Sequence, residues 1–296
     1  MKAPAFDYVR VASLSEAFAA LGQHGDGAKL LAGGQSLVPA LNLRLLAPEI
    51  LIDLNGVAEL RGVTVVGDRL RLGAMTRHVE IERSPLIREH VPLLADAVRH
   101  VAHPAIRSRG TIGGNLAHAD PASEFPACMV ALEAEIVVAS AAGERRIAAE
   151  EFFTGVYETA LGPDDILVGV EIPVAPAGRR HAFIELARRV GDYALVGIAA
   201  TATMDEARLT ALRPVFFAAG PKPIVARNAA ACLVGAPVNE DALAKAADAL
   251  ANELEPEDDL QITAAMRLHL ARTLLRRVVA ALVPEAGVAE PRKVPA

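Results

Sequence analysis

The apolar positions of residues 1–55 fall into short runs separated by polar, glycine-rich breaks, a pattern that predicts a small α/β unit. Residues 6–11 read as a strand. Ser13-Leu14-Ser15-Glu16 then offers a capping box, predicting a helix that ends near Gly22. His24-Gly25-Asp26-Gly27 is a turn. Residues 29–32 form a short buried strand running into Gly33-Gly34, and Ser36 opens a helix with Pro39 in its first turn, where proline is tolerated. Residues 50–54 return as a strand.

From Val63 the pattern changes to paired strands, 63–66 and 70–73 about Gly67-Asp68, followed by a helical stretch over 84–100. An apolar stretch at 125–132 precedes strands at 136–140 and 146–148 about Gly143, then a strand at 166–172. Pro173, Pro176 and Gly178 punctuate the chain and place a domain boundary within 173–180. Beyond it, 194–204 and 208–219 read as strands, and the chain from Pro223 as a helix ending near Gly235. Asn239 caps the next helix, with Glu240 and Asp241 in its opening turn, and Thr263 caps the last. In that helix Met266, Leu270, Leu274, Val278 and Leu282 recur every fourth residue, the stripe of a packed amphipathic helix, with Arg267, Arg272, Arg276 and Arg277 on other faces. Pro284 ends it, and the Ala/Pro/Lys tail behind it reads as loose.

At 296 residues the chain suits two domains, given about 100–200 residues for each. Its hydrophobic fraction of 52% contains no uninterrupted apolar run of the roughly 18 residues a bilayer span requires. No membrane span is expected. Met1-Lys2-Ala3-Pro4-Ala5-Phe6-Asp7 lacks the apolar core of a secretory signal, so the cytoplasm is the expected compartment, with export alongside a folded partner left open. A net charge of −6 argues against a nucleic-acid role, which needs clustered Lys and Arg. The pairs Arg145-Arg146, Arg179-Arg180 and Arg188-Arg189 read as solvated faces. Cys128 and Cys232 are the only cysteines and are far apart, which excludes a disulfide framework or an in-chain iron–sulfur cluster. Cys128 lies in an apolar run and reads as core. His100, His103, His118 and Asp120 lack a ligand spacing, and no metal site is assigned.

Two glycine-paired segments carry the chemistry: Ala32-Gly33-Gly34-Gln35-Ser36 and Thr111-Ile112-Gly113-Gly114-Asn115. Adjacent glycines admit unusual φ/ψ and let successive amides converge on one anion, and each pair has a hydroxyl beside it, Ser36 or Thr111. One such segment is ordinarily only a turn. Two, the first in a strand–glycine–helix order, suggest a bound dinucleotide.

These residues resemble the FAD-binding medium subunits of molybdenum hydroxylases, the carbon monoxide dehydrogenase and xanthine dehydrogenase group. The resemblance covers nearly the whole chain. It is carried by Lys29-Leu30-Leu31-Ala32-Gly33-Gly34-Gln35-Ser36, by the run from Ile106 through Thr111-Ile112-Gly113-Gly114-Asn115 to Asp120-Pro121-Ala122-Ser123-Glu124, by Asp165-Ile166-Leu167, by Gly191-Asp192-Tyr193-Ala194, and by Arg267 with the helix around it. It departs at Met266, where the family commonly has a Tyr, a difference that touches packing. The resemblance implies an α+β chain with a vanillyl-alcohol-oxidase-type FAD-binding domain over 1–176, built of α/β subdomains over about 1–55 and 56–176. A smaller α+β C-terminal domain over 177–286 would lie beside the isoalloxazine, with a tail over 287–296.

By the same resemblance, Lys29 to Ser36 and Thr111 to Asn115 would approach the FAD pyrophosphate through backbone amides, and Glu124 would hydrogen-bond a polyol hydroxyl. On the residues alone Glu124 also reads as a surface acid at a helix start. Val101 and Leu167 would give apolar contacts to adenine or flavin, and each is also simply a buried aliphatic. Tyr193 would face the flavin ring, or else sit in the core at a strand start. The chain offers no clear nucleophile or base, so the flavin would carry the chemistry. A large molybdopterin subunit and a small subunit with [2Fe-2S] clusters are implied as partners, in a dimer of heterotrimers. This chain would collect the electrons on FAD and pass them to an external acceptor, a quinone, cytochrome or dye-like molecule in preference to NAD. The alternative is a free-standing FAD-dependent oxidase or dehydrogenase acting directly on a small organic substrate, which would need a proton-abstracting base or a hydrophobic substrate cavity.

Overall fold

The computed structural model describes residues 2–206 and 208–284. The first unit is a parallel sheet of order β1-β3-β2, from β1 (Asp7–Arg10), β2 (Ala28–Leu31) and β3 (Ile50–Asp53). Parallel pairing requires a crossover, which the helix Leu14–His24 supplies between β1 and β2. The Ser13 hydroxyl accepts from the Glu16 amide at 3.2 Å, while the Glu16 carboxylate reaches back to the Ala12 amide at 2.8 Å, one residue ahead of the cap. Ala17 and Leu21 bury the helix against β3, all four residues of which are buried.

The second sheet is antiparallel, with β4 (Val63–Val66), β5 (Arg69–Gly73), β6 (Glu135–Ser140) and β7 (Gly143–Ala148). After the small hairpin of β8 (Phe153–Gly155) and β9 (Glu158–Thr159), β10 (Ile166–Pro173) enters its centre, giving the order β4-β5-β10-β6-β7. The near-continuous apolar run of β10 follows from burial on both faces. Ile166 and Val168 join Val137 and Ala139 in the core shared with the first sheet. Leu167, Val170 and Ile172 join Ile136 and Val138 in a larger core on the other side.

The helical stretch predicted over 84–100 is two short helices, Pro85–His90 and Pro92–Ala97, preceded by His78–Arg83. Pro92 forces the break: it has no N–H to donate, and Val91 before it takes φ −140°, ψ 58°, outside the helical region. The apolar stretch near 125–132 is the helix Glu124–Ala131, with all eight residues buried. Cys128 lies within it as a core residue, its thiol pushed well up by burial.

A third, antiparallel sheet runs β11 (Arg180–Ala187), β12 (Ala194–Asp205), β13 (Arg208–Phe217) and β14 (Ile224–Val225), in that order. One face, with Phe183, Ala199, Val215 and Phe217, packs into the same core as the helix Glu124–Ala131. The other, with Ile198, Ala200 and Phe216, is covered by the closing helix Ala264–Leu282. The helix expected from Pro223 is confined to Arg227–Ala231, because Ile224 and Val225 instead pair with Phe216 and Val215 as an edge strand. Thr263 caps the last helix, and Leu274, Val278 and Leu282 are buried as the periodicity predicts, whereas Met266 is exposed.

The arginine pairs are not uniformly solvated faces. Arg145 and Arg146 are exposed as expected, each paired through two hydrogen bonds, with Asp165 and Glu171, but the Arg179 side chain is only 15% exposed between Glu133 and Thr201. Arg188 and Arg189 are exposed. The loose tail expected after Pro284 lies outside the described residues. Among those described, no helix is long and apolar enough to cross a membrane.

Candidate functional site

The first glycine segment leaves the end of β2 as an irregular turn. Gly34 takes φ +72°, a left-handed conformation that favours glycine. Among the described residues, the amides of Gly33, Gly34, Gln35 and Ser36 donate to no protein acceptor, and the Ser36 hydroxyl makes no capping bond. A run of unspent amides in one turn is an anion nest. It is held from below: Asn55 Nδ2 donates to the Ala32 carbonyl at 2.9 Å and to Asp53 Oδ1 at 2.5 Å, and the Tyr8 hydroxyl donates to Asp53 Oδ2 at 2.5 Å. Gln35 Nε2 closes the turn on the Gly33 carbonyl at 3.0 Å. Lys29 is exposed on β2, while Leu30 and Leu31 are half-buried, Leu30 against the core of the first unit.

The second segment is built differently. Thr111 caps the helix Ile112–His118, so Gly113 and Gly114 lie in its first turn. Their amides are already used: Ile112 donates to the Thr76 carbonyl, Gly113 to the Ala74 carbonyl at 2.8 Å, Gly114 to Thr111 Oγ1 at 3.1 Å, and Asn115 to the Thr111 carbonyl. The Thr111 hydroxyl accepts that bond and keeps its own proton to donate. Asn115 Oδ1 accepts from the Ser123 hydroxyl at 3.0 Å.

Glycine here serves close approach between backbones. A Cβ on Gly113 would stand 2.5 Å from Ala74 Cβ, and one on Gly33 would stand 2.4 Å from the Arg109 carbonyl oxygen and 2.8 Å from Gly110 Cα. The two segments therefore abut, with Gly33 against Arg109-Gly110. Arg77 clamps the junction through the Arg109 carbonyl and the Asn55 side chain.

Glu124 opens the buried helix after the second segment and is 8% exposed, which removes its reading as a surface acid. Burial first, then the charge of Glu185, raises its carboxyl to about 8, so at neutral pH it holds a proton and can donate as well as accept. Val101 and Leu167 are buried in the same core as Phe125. Tyr193 is 65% exposed and so is no core tyrosine. Partial burial, then the charges of Asp120, Glu124 and Asp192, raise its phenol. The turn that carries it is seated on the 101–103 segment: Gly191 has φ +78°, and a Cβ there would meet His103 Cε1 at 2.5 Å. The turn that carries Tyr193 thus packs beside the segment that carries Val101, and Tyr193 lies within electrostatic reach of Glu124.

Residues 4–175 match the FAD binding domain in molybdopterin dehydrogenase, and residues 181–282 the CO dehydrogenase flavoprotein C-terminal domain. The chain belongs to the FAD-binding medium subunits of molybdenum hydroxylases. Subunit alpha of the 6-hydroxypseudooxynicotine dehydrogenase complex of Paenarthrobacter nicotinovorans is 38% identical over 281 residues, 95% of each chain. Carbon monoxide dehydrogenase from Hydrogenophaga pseudoflava superposes with a TM-score of 0.93 at 37% identity, covering 97% of this chain and 99% of that one. Quinoline 2-oxidoreductase from Pseudomonas putida 86 gives a TM-score of 0.92 at 41% identity over 97% and 99%. The medium subunit is a flavoprotein component of an oxidoreductase, and FAD is its cofactor.

The residues of this medium subunit suit that cofactor. Four unspent amides beside the Thr111 hydroxyl match a pyrophosphate, and a protonated carboxyl matches polyol hydroxyls, which donate and accept. Sequence reasoning passed over Tyr157, whose hydroxyl stands 3.5 Å from Asp120 Oδ2 and whose ring lies 4.9 Å from that of His118. A positive φ on a tyrosine, +56°, is its structural mark and leaves no trace in sequence. The histidines set aside as a metal group are dispersed, His118 on Tyr157, His103 under Gly191 and His100 beside Glu185.

Proposed function

We propose that this chain holds FAD in an extended form across a cleft bordered by Val101, Glu124 and Tyr193, with the pyrophosphate on the amides of Gly33 to Ser36 and the Thr111 hydroxyl. Lys29, Leu30 and Leu31 set the strand that delivers the turn, and Gly113, Gly114 and Asn115 set the helix start that backs it. Glu124 takes a hydroxyl of the ribityl chain or ribose, Val101 and Leu167 give apolar walls, and Tyr193 stands at the rim over the flavin ring. The unspent amides of Gly33 to Ser36, pressed against the second segment, carry this reading.

Bound FAD supplies a two-electron store that can be filled one electron at a time. The protein's own part is to bind, orient and limit access, since among the described residues near Glu124 and Tyr193 no nucleophile is paired with a base. We place the cofactor domain at 1–176 and the flavin-covering domain at 177–286. The partners are a large molybdopterin subunit and a small [2Fe-2S] subunit, in a dimer of heterotrimers in the cytoplasm. The exit for electrons is an external acceptor, a quinone, cytochrome or dye-like molecule. Native co-purification with an absorption spectrum and metal analysis tests this. Flavin, iron and molybdenum with two further polypeptides support it, and flavin on a single polypeptide refutes it in favour of a free-standing flavoenzyme.

A further inference from the structure

One buried carboxylate near Glu124 has an oxygen without a protein donor on an otherwise apolar face. Glu185 lies on β11 opposite Gly197 of β12, two residues after Phe183. Phe183 fits the apolar face, packing on Phe217 at 5.7 Å and against the His100 ring at 5.0 Å. The Glu185 side chain is only 6% exposed. Its Oε1 lies 3.4 Å from His100 Nδ1, and its Oε2 is buried with no hydrogen-bond partner. Glu124, from the helix of the other domain, is its acidic neighbour, and Asp96 and Cys128 lie in the same electrostatic neighbourhood. A buried acceptor left without a donor carries its full desolvation cost, and an aliphatic side chain at this position would avoid it.

We propose that Glu185 is a second flavin-binding carboxylate, its free Oε2 accepting a hydrogen bond from an N–H or O–H donor of FAD while His100 holds Oε1. The site is then closed from both domains, by Glu124 on one side and Glu185 on the other. FAD offers donors of this kind in the flavin ring, as N3–H, and away from it, in the ribityl and ribose hydroxyls and the adenine amine. Glu185 becomes satisfied only when the cofactor is in place. This rests on the reading that FAD occupies the cleft.

The test uses the full-length chain, unaltered and as Glu185→Leu, Glu185→Gln and His100→Ala. Thermal unfolding of each apoprotein is followed by FAD titration, read from the quenching of free flavin fluorescence, and by the absorption spectrum of the bound flavin. Glu185→Leu should leave the apoprotein as stable as the unaltered chain or more so, and should weaken FAD binding by about tenfold or more, the usual worth of a hydrogen bond to a charged group. Glu185→Gln keeps an acceptor and should lose only a few-fold; this near-isosteric variant carries the test if the leucine variant fails to fold. His100→Ala should weaken binding less than Glu185→Leu. A shifted flavin absorption in the Glu185 variants assigns the donor to the ring, and an unshifted one assigns it to a donor outside the ring. Unchanged FAD affinity in a folded Glu185 variant overturns the proposal while leaving the FAD site intact. So does a fall in apoprotein stability without loss of affinity, which is the signature of a structural His100–Glu185 pair. An unaltered chain that takes up no FAD counts against the cleft itself.

Discussion

Glu124→Gln should raise the stability of the apoprotein at neutral pH, and the size of the rise follows from burial. The carboxyl moves from an ordinary 4.5 to about 8 in the folded chain, chiefly by burial and next by the charge of Glu185. Its folded value is the higher one, so between the two values the folded chain keeps a proton that the unfolded chain releases. Stability therefore falls as pH rises through that window, is unaffected below it, and carries a constant penalty above it. Each pH unit is worth about 1.4 kcal/mol, so the penalty reaches about 3 kcal/mol at pH 7. Glutamine has the same shape and no proton to lose. Relief of about 3 kcal/mol corresponds to a rise in Tm of roughly 5 °C for a chain of this length. His78, depressed by burial to about 4, titrates over part of the same range with the opposite sign, its stabilising neutrality being lost as pH falls. It is present in both proteins, so the difference in Tm between variant and parent isolates Glu124. Thermal unfolding at pH 5, 6, 7 and 8 should give a difference that grows from near zero and levels off above pH 8. Parallel curves, or a variant less stable than the parent at pH 7, would falsify the assignment of Glu124 as a buried, protonated acid.

Three further expectations follow from packing. Gly33→Ala places a Cβ against the Arg109 carbonyl and Gly110 Cα and should both destabilise the chain and abolish FAD uptake, whereas Gly34→Ala meets only Leu31 and Val38 side-chain atoms at 3.2 Å and pays mainly for its left-handed φ, about 1 kcal/mol; equal retention of flavin by both variants would contradict the abutting geometry. Tyr193→Ala, at an exposed position, should leave Tm within about 1 °C of the parent yet change the spectrum or air-oxidation rate of the bound flavin; stopped-flow traces indistinguishable from the parent would remove Tyr193 from the flavin. Cys128 is buried with its thiol pushed well up, while Cys232 is half-buried, so a thiol-specific chromogenic reagent should label Cys232 alone in the native chain, with Cys128 reacting only on unfolding. Rapid labelling of both would mean the helix Glu124–Ala131 opens readily.

Much of the architecture was legible because local signals and burial agree. Ser13, Asn239 and Thr263 each accept an amide at a helix start as their sequence positions suggest. β10 reads as a continuous apolar run because it is covered on both faces. Legibility failed where a distant partner decides. Ile224 and Val225 look like helix interior until Phe216 and Val215 offer them a strand to join. The 84–100 stretch keeps helical periodicity across Pro85 and Pro92, and the periodicity outweighed the break that Pro92 signals. Glu185 could not be singled out at all, because a lone glutamate in an alternating strand is the ordinary mark of a solvated face, and what makes it unusual is the core of the other domain packed over it.

The glycine pairs teach the same lesson at the site. Both pairs look alike in sequence, and both suggest free amides. The geometry gives them separate tasks. In Gly33-Gly34 the amides stay unspent because the turn is propped from outside by Asn55, Asp53 and Tyr8, so the turn itself need not use them. In Gly113-Gly114 the amides are consumed by Ala74 and Thr111, and the missing Cβ atoms let the helix start press against Ala74 and reach Ala32. An anion nest and its buttress are thus built from one motif used twice. Loss of the second pair should therefore abolish flavin binding through displacement of the first, without removing any amide that faces the phosphate.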